Sequence, residues 1–329
     1  MGEFESPLVD ERVGRIALSC ATEPSDLETT RLVARVGAAE AVRLATGSGA
    51  VPGMNPASRE KWRSHLGPRL TMRATERALE ATTANKLRVL IPSDKDWPSG
   101  LSDLAEHAPL ALWAKGDTDL FLAPVIQRVA LIGSRASTTY GNDVARGLAI
   151  DLAIVGRQVV NSGRYGIDAY ALRGALDGNG KSIAVMPSGL DRLYPAGNRE
   201  LLERVAETGA LLSELPPGSA PTKWRLEQRD RLIAAIAGAT VVVEASGRSS
   251  TLRTAADARA LGRQVGAVPG SVTTASSTGT HRLIREQVAT LVTHIHDVQE
   301  LLTGRGRTAD RELRSAIPAV RSPREAQAR

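Results

Sequence analysis

The chain has 329 residues, enough for one large domain and a small one, and 42% of them are hydrophobic, enough to fill a core. Its one cysteine, Cys20, excludes an internal disulfide or a multi-cysteine metal centre and reads as a core-packing residue, and no run approaches the roughly 18 apolar residues of a bilayer span. The formal charge is +6 with a pI near 9.8, but from Thr303 onward seven arginines face three acids, a surplus of +4, so any polyanion site in the rest must be a local cluster.

In chain order, MGEFESPLVDERVG has neither the basic nor the apolar region of a secretory leader, which makes the cytoplasm the expected location. Residues 1–84 read as a small helical domain. Ser25 precedes an apolar-periodic run (Leu27, Leu32, Val36) that Gly37 stops, and further helical segments cover Ala38–Ala45, Arg59–His65 and Ala74–Ala84, with Gly47–Ser58 as the loosest loop. From Asn85 the pattern changes to short β-rich runs: Lys86–Ile91, Pro109–Ala114, Arg128–Gly133, Arg157–Ser162, Ser182–Pro187, Gly209–Glu214, Ala239–Ala245 and Gln264–Pro269. Helices fill most of the gaps, over Tyr140–Val155, Ile167–Asp177, Asn198–Glu207, Leu226–Ala237, Thr251–Leu261 and Thr280–Val288. Several strands are continuous apolar runs, the mark of a parallel sheet covered on both faces. The fold class expected for residues 85–302 is therefore α/β, an extended Rossmann-like, doubly wound and mostly parallel sheet behind the helical domain. Residues 303–329, rich in arginine and carrying Pro318 and Pro323, read as a disordered tail.

In a doubly wound sheet, ligands gather beyond the carboxyl ends of the strands. The loops at those ends are GSRAS, NSGRYGID, PSGLDRLYPAGN, ELPPGSAP, EASGRSST and PGSVTTASSTGTH, and they hold Arg135, Arg164, Arg192 and Arg248. One glycine-rich turn alone more often bends the chain than binds anything. Six on one rim predict backbone N–H groups and helix dipoles turned on a shared phosphate. ALDGNGKS (Ala175–Ser182) fits a relaxed phosphate-loop pattern but lies after a helix and before a strand, the reverse of a working one. No nucleophile elbow, zinc-protease pattern or cysteine–histidine pair is evident, and His294 and His296 read as surface residues, so turnover by these routes is not expected, nor is a metal or a cofactor.

The segments "VALIGSRASTTYG", "GIDAYALRGAL", "GKSIAVMPSGLDRLYPAGN", "GALLSELPPG", "QRDRLIAAIAGATVVVEA", "RSSTLRTAADARALGRQVGAVPGS" and "GTHRLIRE" occur in the order and spacing of the DprA/Smf DNA-processing proteins. The resemblance covers roughly Leu87–Leu291 and implies a dimer that binds single-stranded DNA without sequence preference and helps load a RecA-type recombinase. By motif it implies phosphate contacts at Gly133, Ser134 and Arg135, at Lys181, at Arg229 and Arg231, and at Arg248 and Ser249. It also matches Gly166, Ile167 and Asp168 to the family's GID, beside Ser162, Gly163 and Arg164.

This chain departs from the family's usual pattern where Asn161, Ser162 and Arg164 surround Gly163, where Asp230 stands for a neutral Asn, and where Ser250 stands for a glycine. Arg164 could close the pocket or add a charge to it, and Asp230 sets a negative charge where a polyanion is expected. Tyr165, Tyr140 and Trp224 are the candidate stacking rings. Two other readings stay open: a Rossmann module that senses nucleotides, and a LOG-like nucleotide phosphoribohydrolase, although PGSVTTASSTGT lacks the paired glycines and following acid of that signature.

Overall fold

The computed structural model describes residues 10–304; the expected tail falls almost entirely outside them. Five helices come first: α1 (Glu11–Ala21), α2 (Leu27–Val36), α3 (Ala38–Thr46), α4 (Pro56–Leu66) and α5 (Met72–Ala84). Their starts are set by side chains that accept an otherwise orphaned helix N–H. Asp10 takes Val13 N (2.8 Å) and Asp26 takes Thr29 N (3.0 Å). Asp26 is therefore the cap of α2, and Ser25 turns through the left-handed region (φ 63°) just before it.

The sheet follows, alternating with helices: β1 (Arg88–Leu90), β2 (Leu112–Gly116), β3 (Arg128–Ile132), α6 (Thr139–Ile154), β4 (Gln158–Asn161), α7 (Ile167–Asp177), β5 (Ser182–Met186), α8 (Arg199–Thr208), β6 (Ala210–Ser213), α9 (Lys223–Ile236), β7 (Ala239–Val242), α10 (Thr251–Ala260), β8 (Gln264–Ala267), α11 (Thr278–Arg285), β9 (Thr290–Leu291) and α12 (Ile295–Thr303). The nine strands lie in the order β1-β2-β6-β5-β4-β3-β7-β8-β9. From β6 to β9 every pairing is parallel, while β1 and β2 extend the sheet antiparallel at one edge. The strand β9 and helix α12 are additional to the sequence-based expectation.

Strand β3 shows why continuous apolar runs form this sheet. Side chains alternate between faces, and both faces are covered. Ala130 and Ile132 pack into one cluster with Leu232, Ile233 and Ala255, while Val129 and Leu131 pack into the other with Leu148, Leu152 and Ala171. Gly174 lets α6 and α7 approach closely, since a Cβ there would lie 2.3 Å from the Arg146 carbonyl oxygen.

The N-terminal helices are joined to the sheet by packing and by charge. Ile16 and Ala78 share an apolar cluster with Trp113 and Leu211. The Arg12 guanidinium donates to both carboxylate oxygens of Asp94 (2.9 and 2.6 Å) and to the Val89 carbonyl. Cys20 packs at the edge of that cluster, and burial pushes its thiol up to about 12, so it stays protonated and inert. No helix among the described residues is long and apolar enough to cross a membrane.

Candidate nucleic-acid interface

Strand order reverses between β3 and β7: from β3 the chain winds outward to β4, β5 and β6, and it returns to place β7 on the other side. The loops leaving these two strands must diverge, which opens a crevice between them. A cleft of about 800 Å³ lies there, bordered by Gly133–Ala136, by Arg164 and Tyr165, by Ser246 and Arg248–Thr251, and by Ala275 and Ser276.

The turn after β3 is fixed from three sides. Gly133 N donates to Asp168 Oδ1 (3.3 Å), Ser134 N donates to the Glu244 carbonyl (2.8 Å), and the Ser134 carbonyl accepts from Ile167 N (3.2 Å). Gly133 is packed so closely that a Cβ would lie 2.5 Å from Ile167 Cγ1. Gly166 has φ 74° and ψ −135°, and a Cβ on it would stand 2.3 Å from the Ser134 carbonyl oxygen. Only glycine fits that combination. Arg135 projects exposed from this turn, and Arg248 projects exposed from the loop after β7. Arg192, also exposed, stands on the same rim two strands away, beyond β5. Among the described residues none of these three arginines forms an ion pair.

The floor of the cleft is different. Asp168, fully buried, accepts from Ser162 N (3.3 Å), from Ser162 Oγ in a short bond, and from Arg164 Nε (3.3 Å). Gly163 N donates to Asn161 Oδ1 (2.9 Å), Thr138 N donates to the Glu244 carboxylate (2.9 Å), and Gly247 N donates to Thr278 Oγ1 (2.9 Å). Ser249 lines the cleft, and its Oγ accepts from Thr251 N (3.3 Å). The expectation that backbone N–H groups of these loops converge on a bound phosphate is therefore corrected at Gly133, Ser134, Ser162, Gly163, Thr138 and Gly247. Their hydrogens already have internal acceptors.

Arg164 neither closes the cleft nor stands free on it. Its side chain is 11% exposed and lies along the floor. Burial works against its charge, but Asp168 and Asp230 outweigh that and hold the guanidinium above its ordinary range. Asp230 is 2% exposed and takes Arg229 Nε at 2.9 Å, so it does not meet an incoming polyanion as the sequence suggests; it balances buried arginines instead. Arg229 itself is 3% exposed, with burial pulling its pKa down, and its two terminal nitrogens have no hydrogen-bond partner among the described residues.

Three further residues lie away from the cleft. Arg231 is clamped by both oxygens of Glu214 (2.8 and 2.7 Å) and by the His107 carbonyl. Lys181 precedes β5, at the opposite end of the parallel strands from Gly133, with its Nζ 4.0 Å from Asp117. Trp224, 48% exposed, lines a separate groove with His107 and Asp257, whereas Tyr165, 50% exposed, does border the cleft. Tyr140 is half-exposed and tied through its hydroxyl to the Pro269 carbonyl (2.7 Å). Glu244 escaped the sequence reading. Its signal was one acid at the end of an otherwise apolar strand, and its partner Thr138 is far away in the chain.

A Rossmann-type sheet with an arginine-lined cleft at its switch point defines the class: an α/β protein of the doubly wound kind with its crevice at the carboxyl edge. The family described as DNA recombination-mediator protein A matches residues 88–303, and the chain belongs to it. A Mycobacterium tuberculosis protein named as a DprA-type DNA processing protein is 44% identical over 261 residues, 76% of this chain and 66% of that relative's length. The DNA processing protein DprA of Streptococcus pneumoniae is 39% identical over 209 residues, 62% of this chain and 71% of the relative. An X-ray structure of that pneumococcal protein superposes with a TM-score of 0.71 at 28% identity, covering 89% of this chain and 98% of the other. DNA processing protein A from Helicobacter pylori, whose structure concerns a single-stranded DNA binding mode, superposes at 0.60 with 27% identity over 67% of this chain and 96% of the other.

Proposed function

We propose that this chain binds single-stranded DNA without sequence preference across the cleft between the β3 and β7 loops, and that it acts as a homodimer to help load a RecA-type recombinase. The observation that carries the reading is the pair of exposed arginines, Arg135 and Arg248, that border the cleft at the switch point without an ion-pair partner among the described residues, with exposed Arg192 farther along the same edge of the sheet. The single-stranded DNA binding mode described for the Helicobacter pylori relative supports it.

Phosphates recognised this way are neutralised by mobile guanidinium groups, and the counterions they release drive association. Tyr165 offers one exposed ring for a base to stack on, which is tolerant of base identity. Ser134 and Ser249 line the same cleft.

The test is an anisotropy titration of single- and double-stranded oligonucleotides over a range of salt, on the full chain and on a chain ending before Thr303. The expected result is tighter binding of the single strand, retained without the tail, and a steep salt slope that Arg135→Ala lowers by about one unit. Binding that resides wholly in the tail, or an Arg135→Ala chain with an unchanged slope, overturns the assignment of this cleft.

A further inference from the structure

We propose that Arg164 and the start of α10 form a recessed subsite in the cleft that takes a phosphate monoester, the terminal phosphate of a strand or a free nucleoside monophosphate, in preference to an internal phosphodiester. Where the ligand is a strand, this rests on the DNA-binding reading above and deepens it, naming the part of the strand that is gripped.

Arg164 is 9% exposed, yet it borders the cleft. Its Nε is spent on Asp168 (3.3 Å), which sets the orientation of the guanidinium. Its two terminal nitrogens have no hydrogen-bond partner among the described residues and, unlike those of Arg229, are not sealed in the interior. A buried guanidinium with acceptors missing on the side of a crevice is a pair of donors without its anion.

The helix that begins in the same cleft is α10. It is ten residues long, with Ser250 and Thr251 in the cleft wall. Its first turn holds no acidic residue, and Ser250 makes no side-chain cap, so no carboxylate of that turn offsets the positive end of the helix dipole. Three hydrogen bonds in series hold this helix start beside Arg164. Thr251 Oγ1 donates to the Gly133 carbonyl (3.1 Å), Gly133 N donates to Asp168 Oδ1 (3.3 Å), and Arg164 Nε donates to Asp168 Oδ2. Asp168 and Asp230 are the buried acids around Arg164, and Arg164 and Arg229 balance them, so the floor sets no net charge against an anion.

Depth and charge together favour a monoester. An internal phosphodiester is flanked by a sugar on each side and carries one negative charge, so it meets the exposed rim arginines more readily than a recessed one. A monoester has a single substituent, three unsubstituted oxygens and a charge of about −1.5 to −2 at neutral pH. It can enter end-on and accept two parallel N–H bonds from the open edge of the guanidinium, with Arg135 and Arg248 above it on the rim.

The experiment takes three unlabelled oligothymidylates of one short length, with a 5′-phosphate, with a 3′-phosphate and with neither, as competitors of an internally labelled strand on the full chain. Thymidine monophosphate and thymidine are compared beside them by thermal midpoint. At least one terminal phosphate is expected to tighten binding about tenfold, and the monophosphate, but not the nucleoside, to raise the midpoint. Arg164→Gln is expected to bring the three strands to one affinity and to leave the midpoint unmoved by the monophosphate. Arg164→Lys, which keeps the charge and loses the paired N–H edge, should lose most of the gain. A wild type that binds the three strands alike and ignores the monophosphate overturns the subsite while the DNA reading stands, as does a full gain retained in a folded variant. If no strand binds but the monophosphate stabilises the wild type and not the Arg164 variants, the DNA reading falls and the subsite stands, with a free nucleotide as its ligand.

Discussion

Strand β3 begins and ends on arginine chemistry of opposite kinds. Arg128 opens the strand and is wholly buried. Its guanidinium donates to the carbonyls of Ile236, Leu120, Ala123 and Ser99 and to Ser99 Oγ, with no carboxylate among them. Burial lowers its pKa to about 10, so it remains a cation at neutral pH. Arg135, in the turn just after the strand, is exposed and has no ion-pair partner among the described residues. One arginine ties together loops that would otherwise bury unpaired carbonyls, and the other keeps its donors at the surface. The lesson is that residue type and charge do not separate a structural arginine from an available one; the state of its donors does.

The sharpest way to break that comparison is to exchange each residue for an uncharged one. Arg128→Met should cost about 3 kcal/mol or more in urea unfolding, since several buried carbonyls lose their donor. Arg135→Ala should stay within about 0.5 kcal/mol of wild type in the same assay. Equal costs would remove the distinction. Next in size is Gly166→Ala, which forces a Cβ against the Ser134 and Arg135 carbonyl oxygens (2.3 and 2.4 Å) at a positive φ. It should cost about 2 kcal/mol and weaken oligonucleotide binding with no change of charge, as seen by anisotropy beside the unfolding curve.

Smaller still are the single rim contacts. Arg248→Ala should lower the salt slope by about one unit, while Lys181→Ala, at the far end of the strands, should leave it unchanged. A loss at Lys181 equal to that at Arg248 would mean DNA runs along both edges of the sheet. The smallest expected effect lies in the tie between α1 and the sheet. Arg12, by its hydrogen bond, holds the Asp94 carboxyl below its ordinary range. A carboxyl lowered in the folded state contributes stability above the unfolded pKa of about 4 and loses it as pH falls through the folded value. Acid unfolding of Arg12→Ala should therefore show a shallower loss of stability below about pH 4.

The sheet was legible in the sequence because a strand buried on both faces needs no tertiary information to be recognised: RVALI and ATVVV carry apolar side chains at both parities. The short β9, only Thr290 and Leu291, and the helix after it were not legible, because their pattern falls below one full period. The family was legible from the order of its motifs. The state of the site was not. Whether Arg164 reaches outward or lies along the floor depends on Asp168 and Asp230, and whether the α6 terminus is open depends on Glu244, over a hundred residues from Thr138. Pairings at that separation leave no local period to read. Asp230 was misjudged for another reason, its burial: a charge that looks like repulsion in the sequence is, in the fold, the buried counterion of its neighbour Arg229.

The stitching of Gly133 and Ser134 to Asp168, Glu244 and Ile167 has a mechanical corollary. In the proposed binding, a socket that is already set does not have to be frozen when a strand arrives, so the entropy surrendered is confined to the guanidinium arms. Such a grip would release and re-form quickly, as the proposed loading role requires.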